Sequence, residues 1–289
     1  MLPLGRIGVW SFRFVQNPVP AVREAVERLE ELGYTALWYP ETPVTREAVL
    51  EAALLLEWTR SPAVCSGIAP IWNRDAIAAL NAAHGLNDAF DGRFVLGLGV
   101  SHRPSVEGRG HVFEKPLSAM RAYLDAMDGF AAHLEIEPPP RLLAALAPRM
   151  LELAAERAAG AHTYFVPVEH TAYARDRLGS ERTLAVELGV VLETDASRAR
   201  EIARAHTTRY LALPNYRNNL LRLGFAENEL DGGGSDATVD RIVAWGSEDA
   251  ILNRVEEHFA AGADHVCIQP LADTWVADLE HLAPVLLRR

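Results

Sequence analysis

One pattern of apolar and polar positions recurs along the chain. An amphipathic helical stretch ends at glycine, or at a short glycine-containing turn, and a β-rich run follows. It is written as ERLEELGYTALWY, NDAFDGRFVLGLGV, AERAAGAHTYFV and EHFAAGADHVCI. Glycine after the last helical turn accepts the left-handed conformation that closes a helix. In the first of these helices Val22, Ala25, Val26, Leu29 and Leu32 form one stripe, Glu24, Glu27, Arg28 and Glu31 lie opposite, and Gly33 follows. The run after each glycine is apolar on both faces, as a buried parallel strand must be.

The same reading predicts eight strands: Arg6–Trp10, Thr35–Tyr39, Ala63–Ala69, Arg93–Val100, Arg141–Leu146, His162–Val166, Leu184–Leu192 and His265–Pro270. Strands that alternate with helices imply a parallel sheet, and eight such units imply an α/β fold closed as a (β/α)8 TIM barrel. An open doubly wound sheet is the alternative, weakened because no GxGxxG opens a helix after the first strand. Two segments break the rhythm. Residues 101–117 form a polar loop after strand four. Residues 211–247 form a longer excursion before strand eight, with a helix expected at Tyr216–Leu223 and a flexible run at Gly232, Gly233 and Gly234. A long barrel loop serves as a lid, a binding loop or an oligomer contact, and the sequence leaves the three open. No linker interrupts residues 1–289, which read as one domain.

Composition narrows the classes. Of the 289 residues 49% are hydrophobic, enough for a large core. No uninterrupted apolar run reaches the roughly 18 residues of a membrane span, and MLPLGRIGVW lacks the basic-then-apolar layout of a signal peptide. A cytoplasmic protein is expected. Cys65 and Cys267 sit in apolar strand-like runs without metal spacing and read as buried free thiols. A formal charge of −11 disfavours a nucleic-acid partner. Lys115 is the lone lysine, in a polar stretch, which leaves little scope for Schiff-base chemistry.

In a barrel of this class the residues just after each strand build the site. Here these are Trp10, Ser11 and Phe12; Pro40 and Glu41; Ser66 to Pro70 with Trp72, Asn73 and Arg74; Gly97 to Arg103; Ala144 to Arg149; and Pro167, Glu169 and His170. Metal-binding spacings are absent, as is GxSxG. A glycosidase needs two carboxylates, and only Glu41 is well placed, with Glu193 a distant second. Small and aromatic residues suit a flat aromatic cofactor better. Pro148 fits the first position of a helix running to Arg157, whose free N–H groups could hold a phosphate with help from Arg149. An ordinary strand-to-helix turn is the other reading.

LGRIGVWSF, ALWYPE, SGIAPIWNRD, GRFVLGLGVSH, EKPLSAMRAYLDAMD, AALAPRMLELAAERAAGAHTYFVPVEHTAYAR and AGADHVCIQPL, in this order and spacing, resemble the bacterial luciferase-like flavin and deazaflavin oxidoreductases, specifically an actinobacterial branch that uses coenzyme F420. The resemblance spans nearly the whole chain. It implies a cofactor ring at the strand ends, beside Trp10, supported by a non-proline cis peptide at Gly67–Ile68 and lined by Gly97 to His102, including Gly99, Val100 and Ser101. It implies a phosphate tail held by backbone amides at Ala145, Leu146, Ala147, Pro148 and Arg149. Many relatives carry glycine where Ala147 stands. Alanine would hinder binding if the loop needs a positive φ and would be harmless in extended backbone.

His102 aligns with a position that carries a catalytic acid in some relatives, and Glu41 lies where relatives also place active-site residues. The alternatives are a solvated loop histidine and a structural salt bridge. His84 and His170 lie in helical patterns and read as structural; Trp10 and Trp72 read as pocket or core aromatics. The resemblance therefore implies an F420-dependent oxidoreductase that moves hydride between the deazaflavin C5 and a small organic substrate, as a homodimer, with no metal, membrane or nucleic-acid partner. The rivals are an FMN-dependent monooxygenase or reductase and a non-catalytic cofactor-binding barrel; a hydrolase is remote.

Overall fold

The computed structural model describes residues 2–287. Eight parallel strands form its centre: β1 (Ile7–Trp10), β2 (Ala36–Tyr39), β3 (Ala63–Ser66), β4 (Phe94–Gly99), β5 (Arg141–Ala144), β6 (Gly160–Thr163), β7 (Thr183–Val191) and β8 (His265–Pro270). Each pairs with the next, and β8 pairs with β1 from Ile7↔Val266 to Val9↔Ile268, so the sheet closes. The expected TIM barrel is the fold, and every expected strand is present with ends shifted by at most a few residues.

The shifted ends have local causes. β3 stops at Ser66, the Gly67–Ile68 peptide is cis as the resemblance implied, and pairing resumes at Ala69↔Leu98 and Pro70↔Gly99. β6 stops at Thr163 because Phe165 takes a left-handed conformation, φ +57°.

The helix-closing glycine also holds in part. Gly33, at φ +98°, donates its N–H to the carbonyls of Glu30 and Leu29. In AERAAGAHTYFV the expectation fails. Helix Pro148–Arg157 ends at the extended Ala158, and Gly160 is the first residue of β6. A Cβ on Gly160 would stand 1.8 Å from the Thr183 carbonyl oxygen, so strand proximity, not helix capping, excludes other residues there.

Helices Val19–Leu32, Ala48–Trp58, Ala76–Ala89, Pro116–Leu134, Pro148–Arg157, Val168–Leu178, Glu248–Ala260 and Trp275–Leu286 surround the barrel. Their apolar faces bury Val26, Leu29, Leu55, Leu80, Leu124 and Leu151 against the outward faces of the strands in one continuous core. Removing side chains of this size from water is worth roughly 1.5–3 kcal/mol each. A smaller cluster fills the barrel, with Trp38, Ala63, Cys65, Val95, Leu142, Ala185 and Cys267 pointing inward; both cysteines are free thiols.

After helix Ala196–Leu211 the excursion forms helix Pro214–Arg222, which begins two residues before the expected start, then a 3-10 segment at Glu227–Gly233 and helix Asp236–Ile242. A short strand, Ala244–Trp245, extends the sheet beside Val190 and Val191. This excursion has its own core of Tyr210, Leu211, Tyr216, Leu220, Phe225, Leu230 and Val239, joined to Phe165 and Val191 of the barrel. It therefore lies over the C-terminal ends of the strands.

Candidate active site

Inward positions near those strand ends are small. Gly67, Gly97, Gly99, Ala144 and Gly189 come from the turn after β3 and from β4, β5 and β7. Three of the four glycines are required by the protein's own packing. A Cβ on Gly97 would stand 1.9 Å from the Ser66 carbonyl oxygen, one on Gly99 2.5 Å from the Ile68 side chain, and one on Gly67 2.6 Å from Trp10 Nε1. The Ile68 side chain thus occupies the space that Gly99 leaves. Ser66 Oγ accepts from Gly97 N and donates to Gly97 O, both at 2.9 Å, which ties β3 to β4.

Glu41 is buried at the end of β2, where its backbone N–H donates to Ile68 O at 3.2 Å. Arg74 Nη2 lies 2.7 Å and 2.8 Å from the two oxygens of its carboxylate, and also contacts Glu47. The salt bridge that the sequence left as one option for Glu41 is thus formed.

His102 precedes the short helix Arg103–Glu107 and is half-buried. Its ring lies 5.6 Å from the ring of Tyr216, with the Asn215 side chain beside it, so the excursion covers it. Burial lowers its pKa, with the Asn215 side chain opposing, so the imidazole is neutral near pH 7. The preceding turn is held by Trp72, whose Nε1 donates to Val100 O at 2.8 Å, and Ser101 stands at φ +56°.

After β5 the chain runs from Ala145, whose N–H donates to His162 O, to helix Pro148–Arg157. Ala147 is extended, φ −88° and ψ 152°, a conformation that alanine takes without strain, so the backbone here does not need glycine. The N–H groups of Leu146, Ala147 and Arg149 have no partner within the described protein. They gather at the positive end of a helix dipole. His170, fully buried, bonds through Nε2 to Leu146 O at 3.0 Å; burial lowers its pKa to about 4, so it stays neutral and anchors the loop. His84 is exposed on helix Ala76–Ala89.

The residues that sequence reading passed over lie on β6, β7 and β8, just after β6, and on helices Ala196–Leu211 and Pro214–Arg222. The Tyr164 hydroxyl is 2.9 Å from both the Tyr210 hydroxyl and Gln269 Oε1. Tyr164, Phe165, Tyr210 and Tyr216 pack ring to ring at 5.0–6.2 Å, and Trp10 lies 4.8 Å from Tyr164. His162 stacks on Trp38 at 4.5 Å. Glu187 is 2% exposed, and burial raises its pKa to about 8; only its Oε2 has a partner, the Phe165 N–H at 2.9 Å. Trp10 Nε1, His162 Nε2 and Glu187 Oε1 are buried without hydrogen-bond partners among the described residues. One signal was visible in advance: a glutamate inside the apolar run TLAVELGVV.

Among the described residues no group of His, Cys, Asp and Glu is placed to hold a metal, and no helix is long and apolar enough to cross a membrane. Two recesses differ in kind. One of about 370 Å³ opens at the N-terminal strand ends, between Arg6, Glu256 and Phe259, far from the groups above. The other, about 10 Å³, lies at the mouth between Glu41, Pro70, Asn73, Ser101 and Arg109. The larger is a surface groove without convergent chemistry, whereas the mouth gathers the buried polar groups and is filled by its own side chains.

Comparison with known proteins places this geometry. The sequence profile described as luciferase-like monooxygenase matches residues 6–265. The 5,10-methylenetetrahydromethanopterin reductase of Methanolobus tindarius is 23% identical over 158 residues, 48% of each protein, so the chain matches about half the length of that relative. An F420-dependent secondary alcohol dehydrogenase, solved with an F420-acetone adduct, superposes with a TM-score of 0.80 over 100% of both chains at 13% identity. The coenzyme F420-dependent tetrahydromethanopterin reductase of Methanopyrus kandleri gives 0.74, at 14% identity over 97% of this chain and 99% of that one. The oxygenating constituent of 3,6-diketocamphane monooxygenase from Pseudomonas putida, solved with FMN, gives 0.70, at 15% identity over 97% and 98%. At these identities the superpositions speak to the fold.

Proposed function

The chain belongs to the luciferase-like monooxygenase family, and from that premise we propose that it is an F420-dependent oxidoreductase acting on a small organic substrate. The observation that carries the reading is the turn after β5. It presents unpartnered N–H groups of Leu146, Ala147 and Arg149 at a helix N-terminus, with Ala147 in extended backbone. An anionic cofactor tail is the natural partner for such a turn.

In this reading Ala145 to Arg149 hold the phosphate, with Pro148 setting the first helical turn. Trp10, Gly67, Ile68, Gly99, Val100 and Ser101 support the ring. When bound, the deazaflavin supplies C5 as the site that gives or takes hydride. The protein's own part is orientation, exclusion of water and proton handling. A substrate hydroxyl that loses hydride from carbon must also lose its proton, and the neutral His102 imidazole is suited to accept it. Run in reverse, the same ring returns the proton. Glu41, held by Arg74, orders the floor.

An FMN enzyme is the second reading, favoured by the FMN-containing monooxygenase that shares the fold; the turn after β5 suits either phosphate. The test is a titration of the protein with oxidised F420 and, in parallel, FMN, followed by absorbance or fluorescence. Tight binding of F420 alone is expected. Preference for FMN moves the reading to a flavin enzyme, and binding of neither leaves a barrel without this chemistry. His102→Ala is expected to lower turnover by about 10²–10³-fold with little change in deazaflavin affinity; unchanged turnover removes His102 from the reaction.

A further inference from the structure

Gly189 differs from the other glycines of the mouth. A Cβ there would meet the Leu271 side chain at 3.4 Å and Glu187 Oε1 at 3.7 Å, both ordinary contact distances. The barrel's own packing therefore does not require glycine. Residues 187 and 189 are two apart on β7, so their side-chain positions share a face. The protein keeps a methyl-sized space beside a buried carboxyl oxygen that has no hydrogen-bond partner. Its other oxygen is fixed by the Phe165 N–H, from a residue in left-handed backbone, so the carboxyl cannot turn freely.

We propose that Glu187 and Gly189 form a subsite for the carbonyl oxygen of a ketone or aldehyde substrate, with the Glu187 carboxyl donating a hydrogen bond to it. This names the substrate class for the oxidoreductase reading above and rests on it. A carbonyl oxygen fits because the groups around Glu187 leave it a neutral acid. Tyr164, Tyr210, Tyr216 and Cys267 face it, and burial raises the pKa of each. His162 and His265, on the flanking strands, are held neutral by burial. With no cationic partner in this set, a carboxyl raised to about 8 keeps its proton at pH 7 and has it to offer. A buried donor of this kind discriminates strongly against a ligand that lacks the acceptor. Tyr216, on helix Pro214–Arg222, lies among the rings above the site, so entry requires that helix to shift.

The test uses cyclohexanone, methylenecyclohexane of the same shape without an acceptor, and cyclohexylamine. Binding is followed through the Glu187 carboxyl carbon by NMR in the protein without cofactor. Cyclohexanone is expected to move that signal and to bind about tenfold tighter than methylenecyclohexane. Its affinity should fall as pH rises through the Glu187 transition. Glu187→Gln keeps a donor, so it should bind the ketone with no such pH dependence. Glu187→Leu and Gly189→Ala should each lose about tenfold, the second while melting as wild type does. Equal binding of ketone and alkene, no ketone effect on the Glu187 signal, preference for the amine, or an unaffected Gly189→Ala would each overturn the subsite. A missing response to F420 would instead strike the cofactor assignment, because none of these readouts needs it.

Discussion

On the side of the mouth built by β2, β3 and β4, polar groups are matched within the protein. Glu41 is taken by Arg74, Ser66 by the Gly97 peptide and Trp72 by Val100; the side-chain amide of Asn73 is the exception. On the side built by β6, β7 and β8, His162 Nε2, Thr163 Oγ1 and Glu187 Oε1 have no partner. The glycines divide the same way. Those of β4 and of the turn after β3 are packed against backbone or side chains at distances no Cβ tolerates, whereas Gly189 borders a space. Unpartnered buried polar atoms cost stability, and the second side holds most of those at the mouth, where a ligand would satisfy them. The first side is a largely self-paired wall that carries His102 at its rim; the second holds most of the groups still open.

The sharpest way to break this comparison is to add the same methyl to each side. Gly97→Ala drives a carbon into the Ser66 carbonyl and should cost more than about 3 kcal/mol, or abolish folding. Gly189→Ala should stay within about 0.5 kcal/mol of wild type in urea denaturation. Equal costs would remove the distinction.

Arg74→Ala comes next. It leaves a buried Glu41 carboxylate without its cation and should cost about 3 kcal/mol at pH 7 by the same measurement. A loss under 1 kcal/mol would mean that the wall does not depend on the pair.

The pH dependence of stability probes the other side. Glu187 holds its proton to about pH 8 when folded, whereas in the unfolded chain it titrates near the ordinary glutamate value of 4.5. The unfolded state therefore binds fewer protons between these values, and stability falls as pH rises across that window, by about 1.4 kcal/mol per unit at most. Below the window the contribution is fully present; above it, it is lost. Glu187→Gln should remove this slope, and an unchanged pH profile would place the Glu187 transition elsewhere. The smallest effect is expected for Ala147→Gly, which should leave F420 affinity within about twofold, since extended backbone needs no glycine.

Much of this architecture was legible in advance. Helix-then-strand periodicity located all eight strands, and the strand-end rule singles out Glu41, His102 and the Ala145–Arg149 turn. These depend on local periods of 2 and 3.6 and on turn chemistry, which neighbouring residues decide among themselves. His170 and Ala147 were also read in kind: a structural histidine and an alanine whose effect hinged on φ.

What local pattern could not supply is which side chains meet. The glycine of AERAAGAHTYFV looks like a helix cap in sequence, yet Thr183, on a neighbouring strand, is what forbids a side chain there. Glu187 reads as an oddity in an apolar strand until barrel closure surrounds it with Tyr164, Tyr210, Tyr216 and Cys267 and withholds a cation. The excursion was readable as a long loop, but only its fold-back over the strand ends brings Asn215 and Tyr216 onto His102. Sequence alone determined the barrel and the list of strand-end residues. Tertiary structure decided pairing, burial and therefore protonation, because those depend on contacts between residues far apart in the chain.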